Sequence, residues 1–155
     1  MPDATMNEPD YDDPEVEERW CNKQRTIVAD YLRSQKVKHG EVGEWPAWHV
    51  APYASIWVIE SLIQPGAIGW WVICGDLPTD YISSSDVKPP QHPRKAIRVI
   101  AQRWLIMVEA WSKGREYEGI QIAGSHSHEE LAPLLESRAI LLLEWADDDT
   151  LWEES

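Results

Sequence analysis

The charge of this chain is segregated, and the segregation confines the fold to the middle of the sequence. Residues 1–18 carry eight acidic side chains and no basic one, and residues 144–155 carry six acidic side chains and no basic one. Residues 19–143 hold thirteen acids against fourteen bases, so the net charge of −13 belongs almost entirely to the two ends. A neutral, apolar body with acidic ends favours electrostatic attraction of cationic partners over nucleic acid.

The length of 155 residues suits one domain with a substantial core. We expect a disordered acidic tail at residues 1–12, a single domain at 13–146 and an acidic C-terminal tail at 147–155. The longest strongly apolar run, Ile140–Leu143, is far shorter than the roughly 20 residues of a membrane span. Cys21 and Cys74 have no metal-binding or disulfide-framework spacing, so we expect two buried thiols and a cytoplasmic location.

Three segments have helical periodicity. The first begins with Asp13 as N-cap and Pro14 in the first turn, and Gly40 is its expected stop. The second runs from about Arg94 to Lys113, with Gly114 after it. The third runs from about Pro133 to Ala146.

Two segments between the first and second helices predict strands. Residues 55–62 and 69–74 are rich in β-branched and aromatic residues and flank a Pro65-Gly66 turn, which indicates a hairpin. Two strands alone are marginal, so the pair must either pack against helices or recruit a third strand, for which 119–123 is the candidate; residues 41–54 are expected to form a loop. The predicted class is α+β: an N-terminal helix, a short antiparallel sheet of two to three strands, and two C-terminal helices packed on it.

The segment Gly75–Tyr81, with the sequence GDLPTDY, is the most site-like part of the chain. It follows a buried strand directly, a position where loops often carry function, and its carboxylates suit cation binding or acid–base work. Asp, Pro and Thr are also typical of tight turns, and we favour that structural role.

This heptad resembles the motif of an uncharacterised bacterial family of small cytosolic proteins that is known as a domain of unknown function. The other residues that carry the resemblance are Trp57, Trp104, Trp111 and the ending Asp147–Trp152. The resemblance covers residues 15–152 and implies a bacterial, compact single domain, without implying an activity.

Other patterns give no catalytic or metal site. His126 and His128 are two residues apart, which places their imidazoles on opposite-leaning faces of a helix start, so a solvated loop at a helix start is favoured over a metal cluster. The common hydrolase, protease and nucleotide motifs are absent from the sequence. We therefore predict no catalytic residue, no metal and no cofactor.

One cluster of charges violates a local rule. Arg94, Lys95 and Arg98 fall in the first turns of a helix, where the helix dipole disfavours cations. An anion opposite them would explain this, and we favour the acids of the chain's own segment 147–149 over a phosphate or carboxylate ligand.

The leading functional hypothesis is a non-enzymatic binding protein that neutralises a basic protein partner, of the inhibitor or toxin-immunity kind. Small size, acidic ends and tryptophans in irregular context motivate it, since acidic surfaces accelerate the capture of basic proteins. The residues expected to contact the partner are Trp45, Trp48, Asp147, Asp148, Asp149, Trp152, Glu153 and Glu154.

Three alternatives stay open. The first is an enzyme or small-ligand protein that uses the Gly75–Tyr81 segment, and its expected residues are His49, Asp76, Asp80, Tyr81, Arg94 and Arg98. The second is a nucleic-acid mimic, which ranks lower because mimics space their charge along an ordered face. The third is a structural or assembly subunit, and the oligomeric state is left open.

Overall fold

The chain forms an antiparallel sheet with helices against both of its faces, as seen in a computed structural model that describes residues 9–114 and 128–152. In chain order the elements are α1 (Pro14–Ser34), β1 (Trp48–Val50), β2 (Ala54–Glu60), β3 (Ile68–Gly75), β4 (Leu77–Ser83), α2 (Pro93–Ser112) and α3 (His128–Asp147). The α+β class is confirmed, and within the described residues the sheet has four strands, where two or three were predicted.

Helix α1 begins as the sequence predicts and ends earlier. Asp13 is the N-cap, and its carboxylate accepts a hydrogen bond from the Glu15 amide at 2.9 Å. The helix ends at Ser34, six residues before Gly40, because Lys36 takes a left-handed conformation with φ of 57°. The amides of Lys36 and Val37 then donate to the carbonyls of Arg33 and Leu32, which closes the helix with a Schellman motif.

The sheet is a meander with the order β1-β2-β3-β4, and every neighbouring pair is antiparallel. The predicted hairpin is its centre, with Ile56 opposite Ile73 and Trp57 opposite Val72. Because side chains alternate along a strand, these two pairs face opposite sides of the sheet. Both sides are buried, so the protein has a helical layer above and below the sheet.

Each face of the sheet has its own apolar core. On one face α1 packs against β2 and β3, and the buried residues are Val28, Tyr31, Leu32, Val42, Trp57, Ile59, Val72 and Cys74. On the other face α2 and α3 cover the sheet, and the large buried side chains include Ile56, Trp71, Ile73, Ile82, Ile97, Ile100, Trp104, Met107, Leu135 and Leu142.

The two outer strands were both predicted as loops. Strand β1 lies within the predicted loop 41–54; it has only three residues, too few for a period to show. Strand β4 contains most of the GDLPTDY segment, whose Pro, Thr and Asp favour a turn over a strand. The predicted third strand at 119–123 lies outside the described residues.

The C-terminal end is ordered further than the domain boundary at 146 predicts. Asp147 belongs to α3, and residues 149–151 form a short 3₁₀ helix whose N-cap is Asp148. Trp152 packs against the α2–α3 core, which draws this segment onto the domain. Pro133 lies inside α3 without ending it.

Both cysteines are fully buried free thiols. Burial raises the pKa of Cys21 to about 11, with a contribution from the Glu17 carboxylate, and burial also raises the pKa of Cys74 to about 11. Both therefore stay protonated at neutral pH. Among the described helices, none combines the length and apolarity that crossing a membrane requires.

Gly75→Ala will destabilise the fold more than Gly66→Ala, although both glycines have positive φ, of 141° and 87°. A Cβ on Gly75 would lie 2.5 Å from the Tyr53 carbonyl oxygen, whereas nothing lies within 4 Å of one on Gly66. We expect a loss of about 1 kcal/mol at Gly66 and at least ~2 kcal/mol at Gly75. Urea unfolding followed by circular dichroism measures both, and equal losses would contradict the steric account.

Candidate functional site

The six residues of the predicted ligand site do not come together. His49 lies on β1 and Asp80 on β4, which are opposite edges of the sheet. Three strand spacings separate these edges, or about 14 Å. Asp76 contacts α3, whereas Arg94 and Arg98 contact the C-terminal segment. The prediction that these six residues form one ligand site is therefore wrong.

His49 belongs to an aromatic group at the start of α1. Its Nε2 lies 3.0 Å from Glu17 Oε2. The imidazole lies between two indoles, with ring centroids 6.1 Å from Trp20 and 6.0 Å from Trp45. Trp20 follows the helical period of α1 and is half-buried there, so the sequence alone does not indicate its contact with His49.

Asp80 is a buried structural carboxylate. It is 1% exposed, and its Oδ2 accepts a hydrogen bond from Trp104 Nε1 at 2.8 Å. Burial raises the pKa of Asp80 above its ordinary value, although the Trp104 hydrogen bond and the nearby Arg103 guanidinium oppose this shift. The carboxylate therefore joins β4 to α2 rather than facing a substrate.

The same carboxylate also closes the outer edge of the sheet. Asp80 Oδ1 accepts from the Tyr81 amide at 2.8 Å, and Arg103 Nη1 donates to the Tyr81 carbonyl at 3.4 Å. Side chains thus bind both backbone polar groups of Tyr81 on an edge strand, where an incoming strand would otherwise pair. The Tyr81 ring packs between Tyr31 and Trp70.

Asp76 occupies the tight turn between β3 and β4, in keeping with the favoured structural role. The Asp76 amide donates to the Tyr53 carbonyl at 2.8 Å, and Arg138 Nε donates to the Asp76 carbonyl at 2.7 Å. Its carboxylate is exposed and lies 3.5 Å from Arg138 Nη2. The turn is thereby held against α3.

Arg94 and Arg98 bind the acidic C-terminal segment of the same chain. Both donate to the Ala146 carbonyl, at 2.6 and 3.1 Å, and they pair with Asp149 and Asp147. These arginines lie at the positive end of α2, but also at the carbonyl end of α3, where cations are favourable. Asp147 and Asp149 of the same chain therefore supply anions opposite these arginines.

Trp48 and Trp152 stack on each other instead of standing free. Their ring centroids are 4.5 Å apart with planes at 24°, and Trp48 also contacts Trp145 edge-on. Trp152 Nε1 donates to the Trp145 carbonyl at 2.8 Å. Asp148 binds the Thr150 amide and hydroxyl. Residues 147–152 are thus a folded clasp, and Glu153 and Glu154 lie outside the described residues.

Trp45 is the one predicted partner-contact tryptophan that stays exposed, with 45% of its surface accessible. Its backbone is firmly held, because the Gly43 and Ala47 amides on either side donate to the Val58 and Ile56 carbonyls of β2. Arg25 of α1 also binds the carbonyls of this segment at 2.9 Å. An exposed indole on rigid backbone is suited to act as a binding anchor.

Glu17 connects the N-terminal run of acids to this indole group. Residues 9–18 carry six acids and no base, and Glu17 touches His49 directly. We call the group formed by Glu17, Trp20, Trp45, His49 and the exposed acids of 10–18 the acidic–aromatic surface. The part of the chain that the structure describes contains no cluster of three or more potential metal ligands; His126 and the His128 side chain fall outside it.

The comparisons with known proteins identify a family and no activity. A family model described as "Domain of unknown function (DUF4826)" matches residues 15–152. Neither the curated proteins nor the solved structures give a significant match to the chain.

Asp80→Asn will change how stability depends on pH. The pKa of Asp80 is higher in the folded state than in the unfolded state, so protonation of this carboxyl contributes stability at low pH, and that contribution is lost as pH rises above about 4. Asn does not titrate, and the other acids are common to both proteins. The difference in unfolding free energy, wild type minus variant, should therefore decrease with rising pH; an increase would show that Arg103 dominates.

Trp152→Ala will destabilise the domain by about 2 kcal/mol, because it removes the stack on Trp48 and the apolar area buried there. Leu151→Ala is the neighbouring control, and as an exposed residue it should cost under ~0.5 kcal/mol. Thermal unfolding followed by circular dichroism compares them. If Trp152→Ala leaves the unfolding temperature unchanged, the clasp does not contribute to the stability of the domain.

Proposed function

The chain belongs to the DUF4826 family, and we propose that it is a non-enzymatic binding protein that captures a basic protein partner on its acidic–aromatic surface. The observation that carries this proposal is the exposed Trp45 on rigid backbone beside a run of acids without a base. A protein interface combines an aromatic anchor with charges at its rim in this way.

The internal use of the C-terminal acids supports this location. Asp147 and Asp149 are paired with arginines, and Asp148 caps the 3₁₀ helix. The acids of residues 9–18 have fewer such partners: Asp10 and Asp13 cap nearby amides, and Glu17 meets His49. Within the described residues, the acids that lack a cationic partner therefore lie mainly at the N-terminal end.

Electrostatics and packing have separate roles in this proposal. The acids attract a basic protein over a distance and raise its association rate, an effect that salt screens. The indoles of Trp45 and Trp20 supply apolar contact once the proteins meet, which slows dissociation. An inhibitor or immunity protein that neutralises a basic toxin or effector is the specific form that we propose.

The test begins with capture of partners from the native cell by the tagged full-length protein, followed by affinity measurement on the purified pair. Trp45→Ala should weaken binding about 30-fold, as an interface anchor does. Ile63→Ala, at a residue 92% exposed in the β2–β3 turn, is the matched control and should leave the affinity unchanged. A partner that binds the Trp45 variant as tightly as wild type would refute the proposed surface.

A charge-matched pair of double variants tests the electrostatic part. Glu15→Gln with Glu18→Gln removes two exposed acids from α1, and Glu136→Gln with Glu144→Gln removes two from α3. The α1 pair should lower the association rate about 3- to 10-fold at low salt, and the α3 pair less than ~2-fold. Stopped-flow mixing at low and high salt measures both. Equal effects would indicate attraction by net charge alone.

A further inference from the structure

A groove separates the β3–β4 turn from α3, on a different part of the surface from Trp45. It consists of two adjoining hollows of about 340 and 180 Å³ that share Asp76 and Leu77. The other lining residues that matter are Leu131, Leu134, Arg138, Leu141 and Trp145. The larger hollow falls within the size range of small-molecule sites.

The walls of the groove are mainly apolar. Leu134 remains 37% exposed and Tyr53 51% exposed at its two ends. Leu134, Leu141 and Trp145 recur at helical spacing, so α3 presents an apolar stripe to the groove besides the face that it buries against α2. The apolar part of a ligand would fill this stripe.

Arg138 provides the cationic group of the groove. Its Nε donates to the Asp76 carbonyl at 2.7 Å, which fixes the orientation of the guanidinium. Its two terminal nitrogens make only long contacts, 3.5 Å to Asp76 Oδ2 and 3.4 Å to Ser137 Oγ. A guanidinium held by Nε still offers its two terminal donors, the pair that binds a carboxylate.

We propose that this groove binds a carboxylate that is attached to an apolar body. The carboxylate pairs with the terminal nitrogens of Arg138, and the apolar body lies along Leu134, Leu141 and Trp145. The exposed carboxylate of Asp76 competes for the same donors, so Asp76 limits the affinity. The first half of the GDLPTDY segment thus shapes a ligand site, while Asp80 and Tyr81 maintain the fold.

Two sources offer this chemistry, a free aliphatic acid and the C-terminus of a peptide. Sodium octanoate is the probe for the first, with octanol as its uncharged control. The tripeptide N-acetyl-Ala-Leu-Leu with a free carboxylate is the probe for the second, with its C-terminal amide as control. Titrations followed by NMR of the leucine methyl groups and the Trp145 indole report binding at the groove itself.

At least one carboxylate probe should bind, and at least 10-fold more tightly than its uncharged control. Arg138→Gln should weaken that probe by about 10- to 100-fold, and Asp76→Asn should strengthen it about 3-fold. A merely structural Arg138–Asp76 pair would not give these opposite effects. Thermal unfolding of both variants confirms that they are folded.

No binding of either probe, or equal binding of carboxylate and control, would overturn the proposal. So would an Arg138→Gln variant that stays folded and binds as wild type does. Trp45→Ala should leave probe binding unchanged, because Trp45 does not line the groove. Failure of this proposal is therefore distinct from failure of partner binding at the acidic–aromatic surface.

Discussion

The sheet is covered on both faces, and the rest of the structure follows from that constraint. Central strands β2 and β3 must be apolar at successive positions, as Ile56 and Trp57 or Trp71 and Val72 are, because neither face meets solvent. No exposed polar chemistry fits on these strands. The sheet residues of the predicted ligand site therefore lie on its edges and turns, with His49 on β1, Asp80 on β4 and Asp76 between β3 and β4.

The two-sided architecture also explains the charges that break the local helix rule. Cations at the start of α2 lose a few tenths of a kcal/mol each to its dipole. Hydrogen bonds to a charged group contribute about 1.5–3 kcal/mol, and Arg94 and Arg98 each donate to the last carbonyls of α3. The tertiary gain exceeds the local cost. Local rules fail here because α2 and α3 are antiparallel, which places the start of one beside the end of the other.

Sequence patterns predicted those elements whose signal is local. The cap at Asp13, the period of α2 and the β2–β3 hairpin all came from neighbouring residues, and the structure confirms them. Strand β4 was missed because an edge strand needs only one buried face, and here that face includes the buried Asp80. The candidate site was harder to predict than the fold. The two acidic ends are alike in sequence, but only the C-terminal acids pair with Arg94 and Arg98.

Because of this difference, the acids without a cationic partner are unevenly distributed between the two ends of the described chain. Arg98 and Arg94 form salt bridges with Asp147 and Asp149 of the C-terminal clasp, whereas the acids of 9–18 have no arginine or lysine opposite them within the described residues. A protein with charge at one end orients an approaching cation toward that end. The residue that stands exposed there is Trp45, on backbone that is already ordered before binding. Because little conformational entropy remains to be lost there, contact at this indole can convert the electrostatic encounter into a stable complex.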